Sequence, residues 1–128
     1  MHYPVVIERG SATEAWGVVV PDLPGCFSAG DTLDEALRAA EEAAAAWIDA
    51  ALDAGEPIPA PSDAERIRRM KEYRGWILGV VEVDPALLDD AVERVNITLP
   101  RRVLRRLDAK AKAAGESRSS YIARMTVG

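Results

Sequence analysis

Arg94, Asn96 and Thr98 alternate with Val95, Ile97 and Leu99. In a strand that puts three hydrogen-bonding side chains on one face and three apolar ones on the other. These six residues open a stretch of unusual charge. From Arg94 to Gly128 there are nine Lys or Arg against only Asp108 and Glu116, a net of +7, whereas the preceding 93 residues carry seven basic and nineteen acidic groups, a net of −12. The overall −5 therefore conceals an acidic body and a basic tail. Asymmetry of this kind points to two jobs, with a polyanion as the expected partner of the basic end.

Other residues invite other chemistries. Glu8, Asp22, Asp31, Glu35, Glu82 and Asp84 supply carboxylates, and two-metal hydrolysis requires several of them converging on ions about 4 Å apart. Turn and capping chemistry accounts for Asp31 and Glu35, and strand ends account for Glu8 and Glu82, so catalysis is not expected. Cys26 has no histidine but His2 to activate it, and a buried strand cysteine is the expected role. His2 sits at a terminus and is expected to be disordered. One His and one Cys cannot build an ordinary zinc site, so neither metal nor cofactor is expected. Gly25 and Gly30 lack the lysine and the spacing of a phosphate loop.

The tail reads as strand, helix, turn, helix. Pro100 stops the strand and suits a helix's first turn, where its missing N–H costs nothing. Val103, Leu104, Leu107, Ala111 and Ala114 share one face at three- and four-residue spacing, and Arg and Lys fill the rest. Gly115 fits a C-cap, and Ser117 fits the N-cap of a second helix bearing Tyr121, Ile122 and Met125. A unit this short does not bury a core alone. Two copies pairing their strands antiparallel would bury the apolar side under four helices and leave Arg94, Asn96 and Thr98 of both on the open face.

The body reads as β-β-β-α-β, within an α+β chain. Tyr3 to Glu8, Ala15 to Val20 and Cys26 to Ala29 are strand-like. Thr32 and Glu35 have capping-box spacing, and Gly55 caps the far end of a helix about 33 Å long. Glu56 to Pro61 is an extended connector. Ser62 and Glu65 repeat the capping-box spacing before a short basic helix with Arg66, Arg68, Arg69 and Lys71. Gly75 to Val83 is a further strand, whose dense apolar content predicts a central place in the sheet. Pro85 to Val92 is an acidic helical linker. At 128 residues, 48% of them hydrophobic, the chain accommodates one domain or two small ones. No apolar run reaches the roughly 20 residues of a membrane span. No export signal is visible and the single cysteine excludes a disulfide framework, so a cytoplasmic location is expected.

Two resemblances cover nearly the whole chain. The run R-V-N-I-T-L-P, then a helix and G-E-S-R-S-S-Y-I, resembles the ribbon-helix-helix family of DNA-binding proteins, which lays its paired strands in the major groove. By that resemblance Arg94, Asn96 and Thr98 read base edges, and Ser117, Arg118 and Ser119 seat the second helix on a backbone phosphate. The chemistry suits those roles: Arg pairs with guanine, Asn with adenine, and a helix N-terminus favours an anion. Upstream, V-P-D-L-P-G-C-F-S-A-G-D-T-L-D-E-A, from Val20 to Ala36, and the P-I-P-A-P segment resemble the HicB antitoxin family. In many of its members a truncated RNase H-like domain precedes a ribbon-helix-helix.

The combination implies residues 1–84 as a toxin-binding domain, 85–93 as linker and 94–128 as a dimerising DNA-binding domain. The implied partners are a HicA-type toxin that cleaves messenger RNA, double-stranded operator DNA, and a second copy of the chain, with a dimer of dimers as a further assembly. An RNA-cleaving toxin needs a basic surface, and an acidic body can steer to it and cover it. Asp22, Asp31 and Asp34 are the expected docking residues. Two other readings stand beside this one: a transcription regulator whose body binds a small ligand, and a metal-dependent nuclease.

Overall fold

A computed structural model describes residues 1–89 and 91–127; Asp90, which falls in the expected linker, and Gly128 lie outside the described residues. The chain forms two compact units, Met1–Asp90 and Ala91–Gly128.

The first unit holds β1 (His2–Glu8), β2 (Trp16–Val19), β3 (Phe27–Gly30), α1 (Leu33–Asp53), the five-residue helix α2 (Ala64–Arg68) and β4 (Ile77–Glu82). The four strands form one antiparallel sheet in the order β3-β2-β1-β4. One face carries Tyr3, Val5, Ile7, Val18 and Val81, which pack with Ala36, Ala40, Ala44 and Ile48 of α1. The small residues let the helix lie close to the strands. Gly30 is part of this closeness, since a Cβ there would stand 2.5 Å from the Ala36 nitrogen.

Local signals set the ends of α1. Thr32 accepts a hydrogen bond from the Glu35 N–H, and Glu35 accepts from the Asp31 N–H, one residue earlier than a capping box prescribes. At the other end the N–H groups of Gly55 and Glu56 reach back to the carbonyls of Leu52 and Ala51, a Schellman pattern.

Three expectations are corrected. β4 is an edge strand paired only with β1, not a central one. Its apolar density serves the two faces of the sheet, with Ile77 and Val81 toward α1 and Leu78 and the exposed Val80 on the opposite face, and apolar residues on two faces do not require neighbours on two edges. The cap of α2 is Asp63, which accepts from the Glu65 N–H, while Ser62 is engaged elsewhere. His2 is ordered within β1, its ring 4.0 Å from the Glu82 carboxylate. Pro85–Leu88 of the expected linker is a short 3₁₀ turn capped by Asp84.

Two polar contacts tie the connector to the sheet. The buried Tyr3 hydroxyl donates to the Pro59 carbonyl at 2.6 Å, and Asp22 accepts from both the N–H and the hydroxyl of Ser62. Burial, and then the Asp22 charge, push the Tyr3 pKa up. A group raised on folding contributes fully below its unfolded value, here 10.0, and that contribution is lost as pH rises through the folded value. Tyr3→Phe is therefore expected to cost about 1–2 kcal/mol near neutrality, because Pro59 loses its donor. It should also flatten the loss of stability in alkali. Denaturant titrations of both proteins at neutral and alkaline pH measure the two effects.

The second unit holds α3 (Arg101–Ala113) and α4 (Arg118–Val127). Gly115, with φ 69°, carries the turn between them, a left-handed conformation that favours glycine. The N–H groups of Gly115 and Glu116 close α3 on the carbonyls of Lys112 and Ala111. Residues 94–99, expected as a strand, have no strand pairing in the single chain. A strand is defined by a hydrogen-bonded neighbour, and none of the described segments supplies one.

Candidate functional site

The tail leaves apolar side chains open to water. Val95 and Ile97 are 72% and 64% exposed, and Met125 and Val127 remain more than half exposed. Leu104 and Leu107 of the expected apolar face are only half-buried, and Ala111 alone is buried. Ile97, Leu99, Leu104 and Leu107 line one shallow cavity with Thr98 and Arg118. The apolar periodicity is thus real, and much of what it would bury still faces water. Arg94, Asn96 and Thr98 are exposed in the same segment.

At the start of α4, Ser117 behaves as the expected cap, accepting from the Ser120 N–H at 3.1 Å. The Tyr121 N–H bonds to the Ser117 carbonyl, so Arg118 and Ser119 keep first-turn N–H groups with no acceptor among the described residues. The Arg118 side chain is already engaged. It forms a two-pronged ion pair with Asp108 of α3 at 2.8 and 3.0 Å, which lowers the Asp108 pKa and raises that of the arginine. Arg124 pairs with Glu116 at 2.8 Å and lies over the Tyr121 ring. Both acids of the tail are therefore occupied by arginines. The other seven cations, including Arg101, Arg102, Arg105 and Arg106, have no acidic partner among the described residues.

In the body, Asp31 and Asp34 are exposed at the N-terminal end of α1, and Glu41, Glu42, Asp49 and Asp53 continue the acidic surface along the helix. Asp22 is different. It is half-buried, and both its oxygens are held by Ser62. Cys26 is buried, and burial raises its thiol pKa, the reverse of what a nucleophile needs. Among the described residues no group of three or more His, Cys, Asp or Glu is placed to hold a metal ion, and no helix is long and apolar enough to cross a membrane.

One feature was missed in the sequence. The segment read as a short basic helix does not simply solvate. Arg68, Arg69, Lys71 and Arg74 line a cleft of about 320 Å³ together with Tyr73 and Trp76. The available signal was the interleaving of aromatic residues with cations over residues 66–76.

Comparison with known proteins bears on both units. The family described as HicB-like antitoxin of bacterial toxin-antitoxin system matches residues 3–126. A Haemophilus phage HP1 protein, the uncharacterized 14.9 kDa protein of the rep-hol intergenic region, is 42% identical over 108 residues, 84% of this chain and 80% of that one. The crystal structure of the Burkholderia pseudomallei antitoxin HicB is similar at a TM-score of 0.63, with 33% identity, over 99% of this chain and 96% of that one. A HicA3 and HicB3 toxin-antitoxin complex contains a chain 42% identical to this one, at a TM-score of 0.53, over 66% of this chain and 100% of that one.

Proposed function

The chain belongs to the HicB-like antitoxin family of bacterial toxin–antitoxin systems, and from that premise we propose that its body neutralises a HicA-type toxin while its tail represses the operon encoding both. In this reading the body is a truncated RNase H-like domain. Two tails pair residues 94–99 into a ribbon, bury their apolar faces between four helices, and act as a ribbon-helix-helix on operator DNA. The observation that carries the tail's role is its exposed apolar surface beside seven cations that have no acidic partner among the described residues, since Val95 and Ile97 stay exposed in one copy. Antiparallel pairing would cover that surface and put Arg94, Asn96 and Thr98 of both copies on the other side. Ser117, Arg118 and Ser119 would then seat the first turn of α4 on a phosphate, with Arg118 shared between that phosphate and Asp108.

The body's role is supported by its likeness to the HicB3 chain of a toxin-antitoxin complex and by the acidic surface on α1. A toxin that cleaves messenger RNA carries cations for its substrate's phosphates, and the carboxylates of Asp31 and Asp34, with the charge of Asp22, oppose them. Expression beside the neighbouring reading frame, followed by co-purification and a growth assay, tests the pairing. Asp31→Lys/Asp34→Lys is expected to slow toxin association severalfold and to weaken its dependence on salt between about 50 and 300 mM. Asp22 is left unchanged there, because its reversal would also release Ser62. Association kinetics identical to wild type across that range would remove these two residues from the docking surface.

A further inference from the structure

The sheet face turned away from α1 carries a chemistry that the docking residues and the tail residues proposed above do not include. Five of the seven basic residues of the body fall within residues 66–74, although the body as a whole is strongly acidic. Arg68 is paired with Glu65 at 2.7 Å, whereas Arg69, Lys71 and Arg74 have no acidic partner among the described residues. Gathering like charges costs free energy unless something opposite in charge settles on them. The rings of Tyr73 and Trp76 meet edge to face at 5.5 Å in the same cleft.

The sheet extends this cleft. Val6, which forms part of its floor with Leu78, pairs with Leu78 on one side and Val19 on the other, and Val19 pairs with Phe27. Their neighbours Val5, Ile7, Val18 and Ile77 pack toward α1, so by strand alternation this row of four lies on the opposite face. The row ends at Phe27, which is 71% exposed. At the usual strand spacing Phe27 stands about 10 Å from Val6. This open aromatic ring thus lies on the same sheet face as a cleft that holds cations and two further rings.

We propose that this face binds single-stranded nucleic acid. Unstacked bases lie on Phe27 and on the Tyr73–Trp76 pair, because every base offers a π-face to an aromatic ring. Arg69, Lys71 and Arg74 take the phosphates between them. A duplex keeps its base faces stacked inside, and an acidic peptide would use the cations but leave Phe27 unexplained. The site is independent of operator recognition by the tail. RNA and single-stranded DNA share the chemistry, and paired probes tell them apart.

The test uses the full chain and fluorescein-labelled oligouridylate and oligothymidylate of about eight nucleotides, with a random-sequence duplex as control. Phe27→Ala is expected to lower affinity for at least one single strand about fivefold or more, the lower end of a lost base stack. Phe27→Tyr should keep it. Arg69→Glu/Arg74→Glu should lower it at least tenfold and reduce the salt slope by about 1.4, two phosphate contacts at about 0.7 each. All three should leave duplex affinity within twofold of wild type. All three changes are at exposed positions, and unchanged thermal midpoints check the fold. A preference for one sugar identifies which polymer the face serves. The proposal is overturned if wild type binds neither single strand, if the body variants bind both like wild type, or if single-strand and duplex affinity fall together. It is equally overturned if Phe27→Ala alters only sedimentation mass or toxin co-purification, which would make the face a protein interface.

Discussion

Leu107→Glu is expected to leave the chain monomeric at micromolar concentration and to abolish operator binding. Leu107 lies in the middle of α3, half-buried in the single copy, and lines the same cavity as Ile97, Leu99 and Leu104. Pairing two tails would close that cavity and exclude water from it. A carboxylate placed there meets only Arg118, whose guanidinium is already held by Asp108, and burying a charge without a partner of its own costs several kcal/mol even after relaxation. Each dimer would meet this twice. A cost of about 4 kcal/mol already raises a dissociation constant a thousandfold, so the dimer should vanish from sedimentation profiles rather than merely loosen. Operator binding falls with it, because one chain presents one unpaired segment and half the cations. The first unit has its own core and should keep its thermal transition and its toxin binding. A Leu107→Glu protein that still sediments as a dimer and still binds operator would show that α3 does not form the interface. A monomeric wild-type protein at the same concentration would overturn paired strands altogether.

What was legible in the sequence follows from how far each signal reaches along the chain. Thr32, Gly55, Gly115 and Ser117 act within a few residues of themselves, and all four do in the structure what their types prescribe. The alternation of residues 94–99 is equally local, and among the described residues no segment pairs with it. Errors arose where the decisive neighbour is distant. The density of apolar residues in β4 records apolar side chains on both faces of the sheet and says nothing about which strands lie beside it. Ser62 has the type and spacing of a cap, yet Asp22, forty positions earlier, takes it, and the adjacent Asp63 does the capping. Arg118 has a phosphate-binding context, and its pairing with Asp108 becomes visible only when two helices are laid side by side. The cationic cleft is of the same kind, since its cations are local but its floor, Val6 and Leu78, comes from two strands. These long-range contacts decide which charges are free, and so they bear most on the site.

Base reading and toxin neutralisation are expected to separate cleanly, because the residues proposed for them lie in different units. Asn96 is exposed and alternates with the apolar residues of its segment, so Asn96→Ala removes an amide without emptying a core. The amide offers an adenine both a donor and an acceptor, and its loss should cost about 1–3 kcal/mol per contacted base pair, twice per dimer. Discrimination between operator and random DNA should therefore fall by one to several orders of magnitude, with random-sequence affinity nearly unchanged. Arg118→Ala should act in the opposite way. A phosphate contact carries no base information, so affinity for every sequence should drop, and the salt slope should flatten by about 0.9 per protomer. Part of that loss will be structural, because Asp108 then loses its partner; Arg118→Lys retains the charge without the two-pronged geometry and measures that part. Affinities for operator and random duplex at two salt concentrations, with a toxin-rescue growth assay on the same variants, distinguish these outcomes. Intact discrimination in Asn96→Ala would mean that the paired segment is not the reader. Loss of rescue by a folded Asn96→Ala protein would mean that toxin and operator compete for one surface, and the division of labour between acidic body and basic tail would have to be abandoned.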